Sequence, residues 1–405
     1  MFDVVVFGAT GFVGQLVCQA LVQQSQFESF QWAIAGRSAS KLKALAARLS
    51  SEPDEFPQIV ADAHDDDALR AMCSQTRVVL STVGPYALYG DCLVRACAET
   101  GTHYCDLTGE AQWIRRMLDQ YQATAVETGA YIVPCCGFDS IPSDIGVYYL
   151  QSKAQEQYQN SCEIVNMRVM AAQGGVSGGT VASGLNLVKE AMGDSDLRRA
   201  LQNPYFLCPD SERNASHPPP LMPVEFDQDF QKWVTPFVMA EINVRVVLRS
   251  NYLQNYAYST AFSYEEGILT QSGPIGWLMA QGLKIGVDGL VLAAAVPPLR
   301  QVLETTILPK PGAGPSAESQ NQGFYDLRFI GKTADGQMLK TQVKGDRDPG
   351  YGSTAKLIVQ ASLCLAKDLK ESSQPGGFWT PASLMGVHLL ERLPKWAGLS
   401  FTVLN

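Results

Sequence analysis

The sequence predicts an α/β fold, in which an N-terminal doubly wound parallel sheet is followed by an α+β domain. Short apolar runs of strand length alternate with amphipathic runs of helix length through the first 140 residues. Beyond them this alternation stops, and longer strand-like runs appear. We therefore expect domains at 1–140 and 141–380, with a C-terminal helix and tail at 381–405 that packs back on the core.

The first domain is predicted to contain six strands, and their apolar runs suit a parallel sheet that is buried on both faces. The predicted strands are Asp3–Phe7, Phe30–Ala35, Gln58–Ala61, Val78–Thr82, Tyr104–Leu107 and Tyr131–Cys135. The helices predicted between them are Phe12–Gln24, Ala39–Leu49, Asp65–Cys73, Gly90–Thr100 and Gln112–Thr128.

The second domain is predicted to mix strands, helices and two long loops. The predicted strands are Cys162–Ala171, Glu241–Arg249, Tyr325–Thr333 and Gln337–Lys344. The predicted helices are Ile141–Gln157, Thr180–Met192, Ser353–Leu369 and Pro381–Leu393. The two loops, rich in proline or glycine, are Asn203–Pro223 and Pro309–Gly323.

Composition excludes several classes of protein. The net charge of −9 argues against nucleic acid as a partner. The ten cysteines include several in apolar runs, and no secretory signal is visible, so we expect free thiols and a cytoplasmic location. With four histidines and no paired ligand motif, no metal site is expected, and the adjacent Cys135 and Cys136 are interpreted as core.

The run Gly267–Leu299 is unusually apolar and rich in glycine. Pro274, Lys284 and Asp288 interrupt it, so we do not expect it to cross a membrane. Packing within the second domain or in a homodimer interface is the favoured interpretation. An acyl channel and contact with a membrane surface, which would place the protein peripherally on lipid, stay open.

A glycine-rich loop directly follows the first predicted strand. Gly8, Gly11 and Gly14 occur in GATGFVG, which opens the first helix. The first glycine permits a tight turn, the second lets the backbone approach a pyrophosphate, and the third lets helix pack on strand. This context predicts a Rossmann domain, with Thr10, Phe12 and Val13 of the loop also at the cofactor.

The end of the second strand indicates which dinucleotide binds. An acid usually stands there to hold the ribose of NAD, but this sequence has Arg37 and Ser38. A guanidinium suits the 2′-phosphate of NADP, so NADP(H) is the expected cofactor. Asp62, after the third strand, is either an adenine contact or the cap of the next helix.

Polar residues after strands four to six supply candidates for the chemistry, because ligands bind beyond the carboxyl ends of such strands. Gly84 and Pro85 are expected to contact the cofactor. Tyr86, Asp106 and Asp139 are candidate proton donors. Structural roles stay open for each: Asp106 in a turn, for example, and Asp139, like its neighbour Ser140, as a helix cap.

Tyr149 and Lys153 match the YxxxK spacing of short-chain dehydrogenases. They lie after the sixth predicted strand instead of the fifth, and no matching serine strand is visible. We interpret them as a surface pair one helical turn apart.

Several motifs together resemble the saccharopine dehydrogenase-like oxidoreductases, and more narrowly their trans-acting enoyl reductase subfamily. They are GATGFVG, AGRS, TVGPY, DLTGE, CGFDSIPSD, GGVSGGT, KPGAGPS, GDRDPGY and the closing TPA…MG. The resemblance implies an NADP-type Rossmann domain and reduction of enoyl groups on polyketide- or lipid-derived acyl chains, carrier-bound beside a synthase that lacks this activity. It assigns no catalytic residue. A saccharopine- or imine-type NADP reductase and a lipid-associated NADP-binding protein without activity stay open as alternatives.

Overall fold

The computed structural model describes residues 1–52, 56–175, 177–209, 223–306, 314–369 and 372–404. The described chain builds two seven-stranded sheets. The first is parallel and Rossmann-like and the second is mixed, so the predicted fold class is confirmed.

The first sheet has the strand order β13-β6-β5-β4-β1-β2-β3, and all its neighbouring strands run parallel. Its strands are β1 (Phe2–Phe7), β2 (Trp32–Gly36), β3 (Gln58–Val60), β4 (Thr76–Ser81), β5 (His103–Asp106), β6 (Tyr131–Val133) and β13 (Gly377–Phe378). Its helices are α1 (Phe12–Ser25), α2 (Ala39–Leu49), α3 (Asp66–Cys73), α4 (Tyr86–Tyr89), α5 (Asp91–Thr100) and α6 (Ala111–Thr128).

Alternate residues of the central strand β1 enter two different cores. Val4 and Val6 pack with α1, whereas Val5 and Phe7 pack with α3, α5 and α6. This is the period of two expected of a strand covered on both faces. Cys135 and Cys136 follow β6 and divide between the same two cores as free, buried thiols, so their interpretation as core is confirmed.

The second sheet has the order β14-β12-β11-β7-β10-β9-β8, with β7 and β10 parallel and the other neighbours antiparallel. Its strands are β7 (Cys162–Gln173), β8 (Glu225–Asp227), β9 (Lys232–Pro236), β10 (Ser263–Leu269), β11 (Phe324–Thr333), β12 (Met338–Gly345) and β14 (Leu399–Leu404).

The remaining helices cover the second sheet, join the two sheets or extend from the second. They are α7 (Ile141–Tyr158), α8 (Gly178–Gly193), α9 (Ser195–Leu201), α10 (Ala240–Leu253), α11 (Gly273–Ala295), α12 (Pro297–Thr306), α13 (Ala317–Gln322), α14 (Thr354–Leu363) and α15 (Pro381–Arg392). One apolar core runs from β1 and α1 through α14 and α7 to β7 and β11, so the two sheets share it.

The predicted strand Glu241–Arg249 is wrong, because the segment lies inside the helix α10. Its valines and isoleucine favour a strand, and every residue from Ile242 to Asn251 is buried. A helix buried on all sides shows no amphipathic period, so the pattern could not identify it.

The predicted loops are only partly described. Residues 210–222 of Asn203–Pro223 and residues 309–313 of Pro309–Gly323 lie outside the described residues. The second loop also contains the short helix α13, whose cap Ser316 accepts from the backbone N–H of Ser319.

The chain crosses between the sheets more often than the predicted boundaries allow. Gly377–Phe378, from the predicted second domain, pairs with β6 of the first sheet, and α14 packs against α1, β4 and β5. Leu399–Leu404, from the predicted tail, pairs with β12 of the second sheet. The tail thus packs back on the second sheet, whereas Gly377–Phe378 adds to the first sheet from far along the chain, because edge pairing is decided by partners far apart in sequence.

Most of the apolar run Gly267–Leu299 forms the helix α11, which is more exposed than expected. Pro274 lies in the first turn of α11, where a proline costs no hydrogen bond, and Lys284 pairs with Asp288 one turn on. Within the described residues, α11 is the one helix long and apolar enough to cross a membrane. Buried positions make up 11% of its most apolar window, so most of the helix does not pack inside the second domain, and the homodimer interface stays a prediction.

Candidate active site

The glycine loop joins β1 to α1 in a conformation that leaves little room for side chains. Gly8 has φ +89°, and a Cβ there would lie 2.7 Å from Cγ2 of Val83. A Cβ on Gly14 would lie 2.8 Å from Cα of Ala9. Gly11 is the N-cap residue of α1 and provides no side-chain acceptor, so the first N–H groups of the helix stay available. Such a turn can receive a pyrophosphate.

The neighbouring loop residues complete this edge. Thr10 lies beside β2, since its Oγ1 would be 3.9 Å from a Cβ on Gly36. Phe12 and Val13 are half-buried at the start of α1. The β4 end is held against the loop, because Oγ1 of Thr82 donates to the carbonyl of Gly8 at 3.2 Å.

Arg37 extends from the carboxyl end of β2. It is exposed and forms no ion pair with another described residue. Ser38 is the N-cap of α2 and accepts from the N–H of Lys41 at 3.4 Å. The structure therefore places a free guanidinium one residue from the strand end that adjoins the glycine loop.

Asp62 has a local contact, and the cap of the next helix is a different residue. Its Oδ1 accepts from the backbone N–H of His64 at 3.0 Å. The helix α3 is capped by Asp65, which accepts from Ala68. The capping alternative for Asp62 is therefore wrong, and its half-buried carboxylate stays a candidate contact for the adenine half of a dinucleotide.

Gly84 and Pro85 follow β4 and lead into α4, with Pro85 at the N-cap position. The next residue, Tyr86, is buried, and burial raises the pKa of its phenol well above the usual value. The phenol donates to the carbonyl of Ser81 and accepts from the N–H of Leu107, both at 3.1 Å. Tyr86 thus has its one proton committed to a structural bond.

Asp106 is also fully engaged. One carboxylate oxygen accepts from the N–H groups of Thr108 and Cys135 at 3.0 Å, and the other accepts from the hydroxyl of Tyr104 at 2.9 Å. Burial raises the pKa of Asp106 to about 7. These bonds join β5 to the segment after β6, which is the turn-holding role left open by the sequence.

Asp139 has a different environment from the other two candidates. It lies after β6, and its Oδ2 would be 4.0 Å from a Cβ on Gly109, after β5. No described residue donates a hydrogen bond to its carboxylate, and burial raises the pKa of Asp139 to about 7. Ser140, and not Asp139, occupies the N-cap position of α7, and its hydroxyl donates to Asn243. Asp139 is thus a carboxylic acid that can give up a proton near neutral pH at the carboxyl edge of the sheet.

The second domain contributes a turn and a helix start that sequence reasoning did not assign. Asp348 accepts from the N–H groups of Gly350, Tyr351 and Gly352 at 2.9–3.2 Å. The hydroxyl of Tyr351 accepts from the N–H of Gly178 at 3.1 Å, and its ring packs edge-on against Phe12 with centroids 5.2 Å apart. Two of the glycine-rich motifs, GDRDPGY and GGVSGGT, therefore meet beside the glycine loop.

Glu110 fixes the remaining side of this edge. Its carboxylate accepts from the N–H groups of Tyr86 at 2.7 Å and Ala87 at 3.1 Å, and from the hydroxyl of Ser183 at 2.7 Å. These bonds connect the β5 end with α4 and with α8 of the second domain. Glu110 ends the motif DLTGE, and no local pattern in the sequence indicates its distant partner Ser183.

The Tyr149–Lys153 pair lies away from this edge. The ring of Tyr149 packs against Phe401 of β14, and Lys153 bonds Glu156 at 2.6 Å on the surface of α7. Within the described residues, no cluster of three potential metal ligands occurs, so the structure offers no metal centre there.

Comparison with known proteins adds a family. Residues 4–133 match the saccharopine dehydrogenase NADP binding domain. The chain is 38% identical to a Mycobacterium tuberculosis protein provisionally named a trans-acting enoyl reductase, over 98% of this chain and 96% of that protein. It is 37% identical to a trans-acting enoyl reductase of Mycobacterium bovis over 97% and 96%. In fold it is similar to apo saccharopine dehydrogenase (L-Glu forming) from Saccharomyces cerevisiae, with a TM-score of 0.54, 13% identity and full coverage of both chains.

Proposed function

The chain belongs to the trans-acting enoyl reductases within the saccharopine dehydrogenase-like oxidoreductases, and from this we propose that it reduces a carbon–carbon double bond on an acyl chain with NADPH. The observation that carries the proposal is the carboxyl edge of the first sheet. A glycine cradle without room for side chains, a free guanidinium and an unpartnered carboxyl all lie along it.

The residues fit the cofactor. Gly8 and Gly14 leave the backbone of the loop bare, and the N–H groups at the start of α1 can bind the pyrophosphate. Arg37 can pair with the 2′-phosphate, with Thr10 near Gly36 at the end of β2 and Ser38 at the start of α2. Asp62 follows β3 on one side of the loop, and Gly84 and Pro85 follow β4 on the other side.

The reaction needs a proton as well as a hydride. Bound NADPH supplies the hydride, which adds to the β-carbon of an α,β-unsaturated thioester. We assign protonation of the α-carbon to Asp139, because its carboxyl has no partner among the described residues and its pKa of about 7 keeps a large acid fraction at neutral pH. Tyr86 and Asp106 hold the strand ends in place.

The alternative of a saccharopine- or imine-type reductase needs a basic pocket for several carboxylates. The arginines of the second domain that could line one are used internally. Arg168 pairs with Asp227 at 2.7 Å and with Glu265, and Arg249 donates to the carbonyl of Phe378 at 2.8 Å. The structure therefore offers no cluster of free arginines among these residues, which favours an acyl substrate.

We propose that the acyl chain is presented by a separate carrier protein, such as that of a polyketide synthase, and that the reaction takes place in the cytoplasm. The trans-acting name of the relatives supports the first part. The ten free cysteines, nearly all of them buried, suit a reducing compartment and support the second.

The test is NADPH oxidation by the full chain with crotonyl and longer enoyl thioesters. Native protein should turn over, and Asp139→Asn should lower kcat by about 10²-fold with NADPH affinity nearly unchanged. Because the acid form of Asp139 donates the proton, native kcat should be level below pH about 7 and fall above it. The Asn variant should lose this fall.

Tyr86→Phe is the matched comparison, because it removes a hydroxyl whose proton is already committed, and its kcat should stay within a few-fold of native. Full turnover in Asp139→Asn would remove Asp139 as the donor. Tight NADPH binding without reduction of any enoyl thioester would refute the proposed enoyl reductase activity.

A further inference from the structure

The helix α11 packs against β9 and α8, and its first turns are hydrogen-bonded to the second sheet. The hydroxyl of Thr270 donates to the carbonyl of Gly276 at 2.8 Å, and the hydroxyl of Thr235 donates to the carbonyl of Ala280 at 3.1 Å. Gly276 and Ala280 are buried at this junction. These bonds use helix carbonyls, so they fix where α11 leaves the domain.

Beyond Ala280 the helix carries large apolar side chains into solvent. Ala294 is the one residue of this part that is buried. The exposed apolar side chains are Leu283, Ile285, Leu290, Val291 and Leu292, with Ile285 67% and Leu292 64% exposed. A contiguous apolar surface of this kind is rare on a soluble protein unless another body covers it.

The apolar side chains point in all directions around the helix axis. Leu290, Val291 and Leu292 are consecutive, and consecutive helical residues lie about 100° apart around the axis, so they cannot share one face. A second protein copy would cover one face and leave the others in water. A helix that is apolar on all sides is typical of a lipid environment.

The charges on α11 cancel each other. Lys284 and Asp288 are the charged residues between Gly273 and Ala295, and they pair at 2.5 Å one turn apart. The projecting part can therefore leave water without an uncompensated charge. Trp277, 41% exposed, lies near the base of the helix, where an aromatic ring suits the boundary between lipid and water.

The geometry points to insertion in a single leaflet, and we propose that α11 anchors the protein on the surface of a phospholipid bilayer. From Ala280 to Ala295 the helix rises only about 22 Å at 1.5 Å per residue, which is less than the ~30 Å hydrocarbon core. Its first turns are held by the second sheet and cannot follow.

Flotation of the full chain with neutral phosphatidylcholine vesicles tests the anchor. The native protein should float with the vesicles at low and at high salt, because the paired charges leave no electrostatic attraction to screen. Ile285→Glu combined with Leu292→Glu should lower the floating fraction by at least about tenfold. Neither change touches the core, so both should leave the fold intact.

Val126→Glu combined with Val387→Glu is the matched control, since these exposed apolar residues lie elsewhere on the surface, and it should float like the native protein. NADPH oxidation with a water-soluble thioester should be the same in all three proteins, which separates this proposal from the reductase activity. The anchor is refuted if native protein stays with the solution, or if the α11 variant floats as well as native. It is also refuted if, in the absence of vesicles, native protein is a dimer and the α11 variant is a monomer, because α11 then forms a contact between two copies of the chain.

Discussion

Glycines of the cofactor loop and glycines of α11 differ in what surrounds them. At Gly8 and Gly14 an added Cβ would meet other atoms at or below contact distance. At Gly282, Gly286 and Gly289 of α11 it would meet nothing within 4 Å. The glycines of the loop are therefore packed against other parts of the chain, whereas the glycines of α11 lie on a surface that no other part of the chain covers. Substitutions at the two sets should therefore differ in sign as well as in size.

The largest effect is expected at Gly14. Gly14→Val would drive a branched side chain into the backbone of Gly8 and Ala9, so we expect a loss of about 3 kcal/mol or more in the free energy of unfolding. Binding of NADPH should be lost with it. Chemical denaturation and titration calorimetry measure the two effects.

The same change in α11 is the control, because a Cβ at Gly286 has no atom within 4 Å, so Gly286→Val should stay within about 0.5 kcal/mol of native. Equal destabilisation by the two valines would show that the contrast between the regions is false.

A smaller effect is expected at Arg37, which is exposed like α11 but polar. If its free guanidinium binds the 2′-phosphate, native protein should bind NADPH at least tenfold more tightly than NADH. This ratio corresponds to about 1.4 kcal/mol of binding free energy. Arg37→Glu should remove that preference. Arg48→Glu, at the other end of α2, should keep it. Equal native affinity for the two cofactors would contradict the NADP assignment.

The smallest effect is expected for Gly286→Ala. Alanine is the better helix former and the site has room, so the free energy of unfolding should rise by up to about 1 kcal/mol. Thermal unfolding in buffer without vesicles is the measurement. A clear loss of stability would mean that another part of the protein packs against α11 in solution.

The parts of the molecule that the sequence predicted correctly depend on local patterns. The alternation of strand and helix up to Val133 follows from runs that a buried parallel strand requires, and the loop Gly8–Gly14 needs glycines for reasons contained in seven residues. The helix α10 was missed because its residues are buried on every side. A pattern of polar and apolar residues reports a helix only where one face meets water.

The site was predicted less completely because its side chains are positioned by distant partners. Tyr86 and Asp106 lie at strand ends, as Asp139 does. What distinguishes them from Asp139 is their hydrogen bonds to Ser81, Leu107 and Cys135. Tyr351, held in a turn by Asp348, contacts Phe12 beside the glycine loop from far along the chain, and no spacing within the sequence indicates that contact.

The strand β13 determines when the first sheet can be completed during synthesis of the chain. The first sheet lacks its edge strand β13, and one of its faces lacks the covering helix α14, until the ribosome has made most of the chain. At a synthesis rate of about 5–20 residues per second, β6 waits on the order of tens of seconds for Gly377 and Phe378. During that time its open edge is exposed to other nascent chains. A fragment that ends at residue 140 would lack β13 and α14, so we expect it to expose that edge and the apolar face that α14 covers.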